Sequence, residues 1–237
     1  MINVTAEPTF HMKMVYMMAM KNVRLSHVLK YLEPIISGKE VVSEKPYNIR
    51  VQAIWIVKHI NVDLHYTHDL LWPVLSDVSL PTVVRVAAFD VLVHQVTHLG
   101  RFMNIYWLMV NEKDEHLYNY YVDTIKGLAN SVDPCLMETR EICKKILKFI
   151  SKRNVDGPLS SKIHVDYEDE KYGYAESVKA SLVLDSSGFP YVGSVEHIET
   201  ITRKPAHKWG VSVFIRYYKF KKILFKSILT FHSVSIF

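Results

Sequence analysis

The sequence predicts a mainly α-helical protein, in which helix pairs stack into an α-α superhelix and a β-strand-rich segment follows. Three observations predict this fold class. Apolar residues recur at three- and four-residue steps through the first 150 residues, two helix pairs there repeat each other, and after Ile150 the apolar spacing changes to every second residue. The chain of 237 residues is 49% hydrophobic and 22% charged, which is ordinary globular composition with room for one large or two small domains.

Helical patterns follow one another through the first 150 residues. The apolar run Met14–Met20 is predicted to lie in a helix rather than in an export signal, because no small-residue cleavage site follows it. A second helix is predicted from one apolar face, which Pro34 and Gly38 are expected to interrupt; its members are Leu25, Val28, Leu29 and Leu32. Short loops predict antiparallel neighbours. The further predicted helices are Ile49–Asn61, His65–Leu75, Pro81–Val96, Gly100–Val110, His116–Asn130 and Cys135–Ile150.

An internal repeat relates two of these helix pairs. Residues 49–53 match residues 84–88 at an offset of 35, and residues 32–37 match residues 71–76 at an offset of 39. Such a period is typical of α-solenoids such as HEAT and armadillo arrays. Arg50 and Arg85 occupy equivalent repeat positions. They are either ligand-binding arginines or, as we favour, residues that pair with acids or cap neighbouring turns and hold one hairpin against the next.

Strand patterns begin after a polar linker, Ser151–Ser161, which contains Gly157 and Pro158. Apolar and polar residues alternate from Val178 to Asp185, and Val192–Thr202 and Gly210–Tyr218 are further strand candidates. Three or four strands cannot cover both faces of a sheet, so we expect this to be the start of a larger β-structure. The predicted organisation is a helical domain at 1–153, a β-rich segment at 154–218 and a basic, apolar tail at 219–237.

The net charge of +5 is concentrated at the end of the chain. Four lysines lie in the last twenty residues, which contain no acid, and residues 1–217 carry a net charge of only +1. A nearly neutral body lacks the broad basic surface that binds nucleic acid. The tail is either a segment for an anionic membrane surface or a solvated end. No apolar run reaches the ~18 residues of a transmembrane helix.

No catalytic, cofactor or metal motif stands out. The sequence contains no phosphate-binding glycine loop, nucleophile elbow or zinc-protease signature, so no enzyme activity and no cofactor are expected. His94 and His98 are spaced like helical metal ligands, but no third ligand is evident and we favour a solvated helix face. On a continuous helix, eight residues separate Cys135 from Cys143 by about 12 Å, which is too far for a disulfide. The tyrosines and tryptophan of residues 106–121 are suited either to stacking on nucleic-acid bases or, as we favour, to core and inter-helix packing.

Residues from about 20 to 150 resemble the helical domain of the large lipid transfer proteins: vitellogenins, apolipophorin-like proteins and the microsomal triglyceride transfer protein. The resemblance is carried by three segments that occur in the family's order: Leu80–Leu92 (LPTVVRVAAFDVL), Glu112–Tyr121 (EKDEHLYNYY) and Ile125–Cys135 (IKGLANSVDPC). The resemblance implies a curved double layer of helix pairs that leads into β-sheets enclosing a lipid cavity. The change of pattern near residue 155 resembles that junction.

The resemblance also implies a function and a set of site residues. A non-catalytic part of a vitellogenin-like lipoprotein is expected, which binds and carries lipid and serves as a nutrient store. Its implied partners are lipids, the remainder of a larger lipoprotein and an uptake receptor, and its implied location is extracellular. The candidate lipid-facing residues, for which an ordinary protein core is the alternative, are Val178, Ala180, Leu182, Leu184, Val211, Val213 and Ile215.

The family begins with a signal peptide and a β-barrel that have no counterpart in this sequence, so we expect the chain to be a fragment. Isolated solenoid segments expose apolar flanks, and the separate chain is therefore expected to be poorly soluble or self-associating. The alternative function is an intracellular HEAT-like scaffold that binds protein partners on its concave face. The strand-rich second half and the three ordered segments favour the lipid carrier.

Overall fold

The computed structural model describes residues 9–40, 46–95, 98–151, 153–169, 171, 173–185, 187–201 and 207–213. For residues 199–201 and 207–213 it describes the backbone alone. The chain divides into two compact units, Met1–Val96 and Thr97–Phe237. The predicted order, helices first and a β-strand-rich segment after them, is confirmed.

The described part of the first unit consists of helices. They are α1 (Phe10–Val23), a 3-10 turn (Ser26–Val28), α2 (Leu29–Ser37), α3 (Pro46–Val57), α4 (Leu64–Ser76) and α5 (Thr82–Gln95). Thr9 and Asp63 begin α1 and α4 by accepting hydrogen bonds from backbone N–H groups of the first turn. Helix α3 packs against α1, α2 and α5, while α4 packs against α2 and α5. The core of this unit therefore lies around α3 and α5, and residues 83–89 of α5 are all buried.

The repeated arginines tie each helix pair together. Arg50 Nε donates to the carbonyl of Ile36 at 2.9 Å, and Arg85 Nε donates to the carbonyl of Leu75 at 2.9 Å. Ile36 and Leu75 are themselves equivalent in the repeat, in the last turns of α2 and α4. The carbonyls of a last helical turn lack partners within the helix, so a guanidinium satisfies them well. The prediction that these arginines cap neighbouring turns is confirmed within each helix pair. That they also hold one hairpin against the next stays a prediction.

The predicted break at Pro34 is wrong. Helix α2 continues through Pro34 to Ser37 and ends at Gly38, whose φ of 81° suits a left-handed helix cap. Proline removes the N–H that would pair with the carbonyl four residues earlier, and the helix tolerates this single loss. At the other end, Glu40 N–H donates to the Pro34 carbonyl at 2.9 Å and closes the last turn around Gly38. Pro73 occupies the equivalent place inside α4.

The second unit begins with α6 (Leu99–Val110), α7 (Glu115–Asn130), a 3-10 turn (Pro134–Leu136) and α8 (Met137–Leu147). Asp114 begins α7 by accepting from two backbone N–H groups. Three tyrosines of α7 are buried, as expected, but the prediction that Trp107 belongs to the core is wrong, because its side chain is exposed. Helix α6 buries Phe102, Ile105 and Met109, and this spacing leaves Trp107 on the opposite side.

Four antiparallel strands complete the described part of this unit: β1 (Ser161–Asp169), β2 (Tyr174–Leu184), β3 (Pro190–Ile201) and β4 (His207–Val213), in that order across the sheet. Strands β2 to β4 lie where strands were predicted, whereas β1 was not predicted. The last residues of the third predicted strand and the basic tail at 219–237 lie outside the described residues. The predicted domain boundaries at 153 and 218 remain predictions.

Candidate functional site

The sheet has two faces of opposite character, and strand β1 shows the difference most clearly. Ile163, Val165 and Tyr167 are 57%, 57% and 54% exposed. The residues between them, Lys162, His164 and Asp166, bury their side chains on the other side of the strand. Alternate residues of a strand point to opposite faces, so an apolar face is exposed and a polar face is covered. This is the reverse of an ordinary half-buried sheet, which hides its apolar face.

Strand register extends the exposed face across the sheet. Ile163 pairs with Ala180, and Ala180 pairs with Val195 of β3. Val165 pairs with Val178, and Val178 pairs with His197. Directly paired residues lie on the same face. We call this surface the outer face; its members with described side chains include Ile163, Val165, Tyr167, Tyr174, Glu176, Val178, Ala180, Leu182, Val195 and His197.

The predicted lipid-facing residues fall into four groups. Val178, Ala180 and Leu182 belong to the outer face and are half-buried. Leu184 follows a register shift after Val183 and is buried, so it lies outside the exposed alternation. The backbones of Val211 and Val213 pair with His197 and Val195, in register with the outer face. Ile215 lies outside the described residues.

The sequence reasoning missed the most exposed members of the outer face, which lie on β1. The alternation Ile163-His164-Val165-Asp166-Tyr167 carries the signal of a strand. It follows the polar linker and runs into the acidic residues 168–170, a run of charge that is typical of a solvated loop. The strand was therefore hidden between two polar segments.

The covered side of the sheet, the inner face, carries a polar network against helix α7. Asp166 accepts hydrogen bonds from the Ser131 hydroxyl, from the Ser177 hydroxyl at 2.6 Å and from His164 Nε2 at 2.9 Å. Ser131 directly follows α7, and Ser177 lies on β2. The carboxylate thus joins α7, β1 and β2 through one group, as a buried charge requires.

Burial and the neighbouring groups shift the pKa values of both His164 and Asp166. Burial lowers the pKa of His164; the Asp166 carboxylate opposes that effect, and the ammonium groups of Lys179 and Lys162 add to it. Burial alone would raise the pKa of Asp166, but hydrogen bonds from Ser131, Ser177 and His164 lower it below its ordinary value. Near neutral pH the pair therefore consists of a neutral imidazole that donates to an ionised carboxylate.

Helix α7 approaches β1 closely at Gly127. A Cβ atom built on Gly127 would lie 2.7 Å from the Cβ of His164, closer than real side chains approach each other. Only glycine lets the helix sit at this distance from the strand. Helix α7 also donates to the residue just before β1, because the Asn119 amide nitrogen is 2.9 Å from the carbonyl of Ser160.

The segment between α8 and β1 is anchored at two points. The Arg153 guanidinium carbon lies 3.6 Å from the Tyr118 ring centroid, and its nitrogens donate to the Glu112 carbonyl at 2.7 Å and to Glu115 at 3.2 Å. Ser160 is fully buried, and its hydroxyl accepts from the Leu184 N–H at 2.8 Å. These contacts hold the start of the sheet on α7.

Among the residues that the structure describes, the histidines and cysteines form neither a metal site nor a disulfide. No group of three His, Cys, Asp or Glu residues there could hold a metal ion. His94 Nδ1 lies 2.7 Å from the carbonyl of Asp90 in its own helix. Cys135 is exposed and Cys143 is buried, and burial raises the pKa of the Cys143 thiol to about 12. None of the described helices is long and apolar enough to cross a membrane.

Comparisons with known proteins found a matching family model and a similar solved structure. A family model described as the vitellogenin TPR domain matches residues 3–126, more than half of the chain. A solved structure titled "Lipid-protein interactions in lipovitellin" matches with a TM-score of 0.70 and 14% sequence identity. That match covers 85% of this chain and 22% of the lipovitellin chain. A search of curated proteins found no significant match.

Proposed function

The chain belongs to the vitellogenin TPR domain family, and on this premise we propose that it is a non-catalytic part of a lipid carrier whose sheet binds lipid on its outer face. The helices support that sheet. The chain spans about a fifth of the lipovitellin chain that it resembles, so the proposal concerns one wall of a larger lipid-binding surface.

The single observation that carries the proposal is the reversed polarity of the sheet. Ile163 and Val165 face outward while His164 and Asp166 are buried against α7. Covering one such aliphatic side chain fully contributes about 1.5–3 kcal/mol. A contiguous apolar face is thus costly in water and favourable against acyl chains, and exposed apolar surfaces of this kind mark binding sites.

The helices hold the sheet rigidly in place. Gly127 brings α7 into close contact with β1, Asp166 joins α7 to two strands, and Arg153 fixes the segment that leads into the sheet. A sheet held from its polar side keeps its apolar side available for lipid. No catalytic step is proposed for the outer face or for the inner network.

Location and partners form a further part of the proposal. We propose that the parent protein is secreted, is loaded with lipid and serves as a nutrient store, with the remainder of a larger lipoprotein and an uptake receptor as its partners. Membership of the vitellogenin TPR domain family supports this part.

Density-gradient flotation of extracellular fluid, probed with an antibody against residues 115–150, tests the proposed location and lipid load. Recovery of the sequence only as a dense intracellular species of about the chain's own 27.6 kDa would reject it.

Binding by the sheet is tested with paired aspartate substitutions. Ile163→Asp together with Val165→Asp places charge on the outer face at exposed positions, where the fold does not depend on burial. We expect uptake of a fluorescent triacylglycerol by the purified chain to fall about tenfold or more. Each aspartate would have to leave water and contact hydrocarbon when lipid binds, which is unfavourable. Val78→Asp is the matched control, because Val78 is 77% exposed in a loop far along the chain from the sheet.

Circular dichroism establishes that all three proteins retain the same secondary structure. Uptake that is equal in the double variant and in the control would contradict the proposal for the sheet. A chain that takes up no lipid, and floats with none, would reject lipid binding by this part of the protein altogether.

A further inference from the structure

The outer face changes character along its strands. Its half near Ile163 and Ala180 is aliphatic, while its half near the β1–β2 turn carries two tyrosines and a carboxylate. The imidazole of His197 lies beside Val178, at the border between the two halves. We call Tyr167, Tyr174, Glu176 and His197 together the tyrosine cluster. From Tyr167 back to Ile163 the strand extends about 13 Å. A polar, aromatic end therefore adjoins a sizeable apolar stripe on one surface.

Hydrogen bonds and ring contacts order the tyrosine cluster. The rings of Tyr167 and Tyr174 lie with their centroids 6.4 Å apart and their planes at 53°. The Tyr174 hydroxyl donates to Glu176 at 3.1 Å, and His197 Nε2 lies 2.8 Å from the other oxygen of that carboxylate. The Tyr167 hydroxyl donates to Asp169 at 3.5 Å. Two electron-rich rings and two carboxylates are thus held together at one end of the outer face.

This combination suits a quaternary ammonium group. A cation interacts with an aromatic face when it lies within about 6 Å of the ring centroid. One cation can satisfy that distance to both tyrosines, because their centroids are only 6.4 Å apart. A quaternary ammonium has no N–H to donate and depends on such aromatic faces and nearby negative charge, whereas a compact primary ammonium is strongly hydrated. An anionic headgroup would be repelled by Glu176 and Asp169.

We propose that the tyrosine cluster binds the choline headgroup of a phospholipid whose acyl chains lie on the aliphatic half of the outer face. The inference rests on the proposed function, because it assigns a lipid class to the same surface. The rings and carboxylates select the headgroup, and the stripe from Val165 to Ile163, with Val178 and Ala180 beside it, receives the chains.

The test measures headgroup preference separately from total lipid uptake. The full chain is incubated with an equimolar mixture of phosphatidylcholine, phosphatidylethanolamine and phosphatidylglycerol with identical acyl chains, together with triacylglycerol. Bound lipids are then extracted and quantified by mass spectrometry. We expect phosphatidylcholine to be enriched about fivefold over the other phospholipids, as partly exposed cation–aromatic contacts allow.

Three variants distinguish a headgroup site from a merely structural role. The double substitution Tyr167→Leu and Tyr174→Leu keeps apolar bulk but removes the rings, so the choline preference should disappear while triacylglycerol uptake remains. Tyr167→Phe with Tyr174→Phe keeps the rings and should retain the preference. Tyr47→Leu changes an exposed tyrosine of helix α3 and should behave as the wild type.

Equal binding of the three phospholipids by the wild type would overturn the headgroup site while leaving lipid binding by the sheet intact. So would a choline preference that survives loss of both rings. If no lipid class binds at all, the proposed function fails and the headgroup site fails with it.

Discussion

Replacing Gly127 by alanine adds one methyl group at the point where helix α7 touches strand β1. The new Cβ would lie 2.7 Å from the Cβ of His164, and ordinary contact begins at 3.4 Å, so helix and strand must separate. That movement would stretch the hydrogen bond between Ser131 and Asp166, which crosses the same contact. The substitution thus tests whether the sheet is seated on α7 as closely as the structure indicates.

Two effects of opposite sign decide the magnitude. Alanine is favoured over glycine inside a helix by about 1 kcal/mol. Overpacking costs about 1–3 kcal/mol, and loosening the hydrogen bonds of a buried carboxylate adds about 1–3 kcal/mol. We therefore expect Gly127→Ala to lower the free energy of unfolding by about 1–5 kcal/mol, with a middle value near 3 kcal/mol, after the gain in helix propensity is subtracted.

Urea denaturation of the full chain, followed by circular dichroism, measures the change. Gly100→Ala is the matched control: Gly100 also lies in a helix, α6, but a Cβ there would meet no atom within 4 Å. The control should be neutral or stabilised by up to about 1 kcal/mol. If Gly127→Ala is as stable as Gly100→Ala, the close contact between α7 and β1 does not exist in solution and the argument for a supported sheet loses its basis.

Two further predictions concern the helix pairs and the inner network. Arg85→Lys should lower the free energy of unfolding by about 2 kcal/mol in urea denaturation, because lysine has no fixed Nε–H to donate to the buried Leu75 carbonyl. Arg50→Lys should cost less, because Arg50 is only partly buried. A larger effect at Arg50 would contradict this account. Since burial lowers the folded-state pKa of His164 below its ordinary 6.5, its contribution to stability is complete above that pH and is lost as the pH falls through the folded-state value. His164→Gln, which keeps a donor for Asp166, should therefore show a smaller loss of stability between neutral pH and pH about 5 than the wild type, and an unchanged acid response would remove His164 as its source.

The sequence alone predicts the helical half well because its signals are local. The apolar spacing, the repeat and the equivalence of Arg50 with Arg85 all lie within about forty residues of one another. The break predicted at Pro34 failed because the missing N–H costs only one hydrogen bond, and the buried residues on both sides of Pro34 keep the segment helical. The prediction that Trp107 lies in the core failed because a run of aromatic residues does not indicate which side of α6 packs against its neighbours.

The outer face could be predicted only in part, for a different physical reason. A period of two shows that a strand has two faces, but it does not show which face meets the rest of the protein. Val178 and Ala180 were identified as candidates with either lipid or core as their environment, and only the placement of β1 against α7 decides that their face is the exposed one. Strand β1 itself was missed because its buried residues are Lys162, His164 and Asp166, which ordinarily indicate a solvated surface.

Because the polar face of the sheet is buried, one set of residues determines the stability of the fold and a different set determines binding. The inner network and Gly127 fix α7 on β1, so changes there should alter unfolding and leave the chemistry of the outer face as it is. Ile163 and Val165 are mostly exposed, so polar substitutions there remove little burial and should cost little stability while they remove the surface that acyl chains contact. An ordinary half-buried sheet shows the reverse, because its apolar face is its core. Apolar residues that can be made polar without unfolding the chain are therefore what a lipid-binding wall requires and what a protein core forbids.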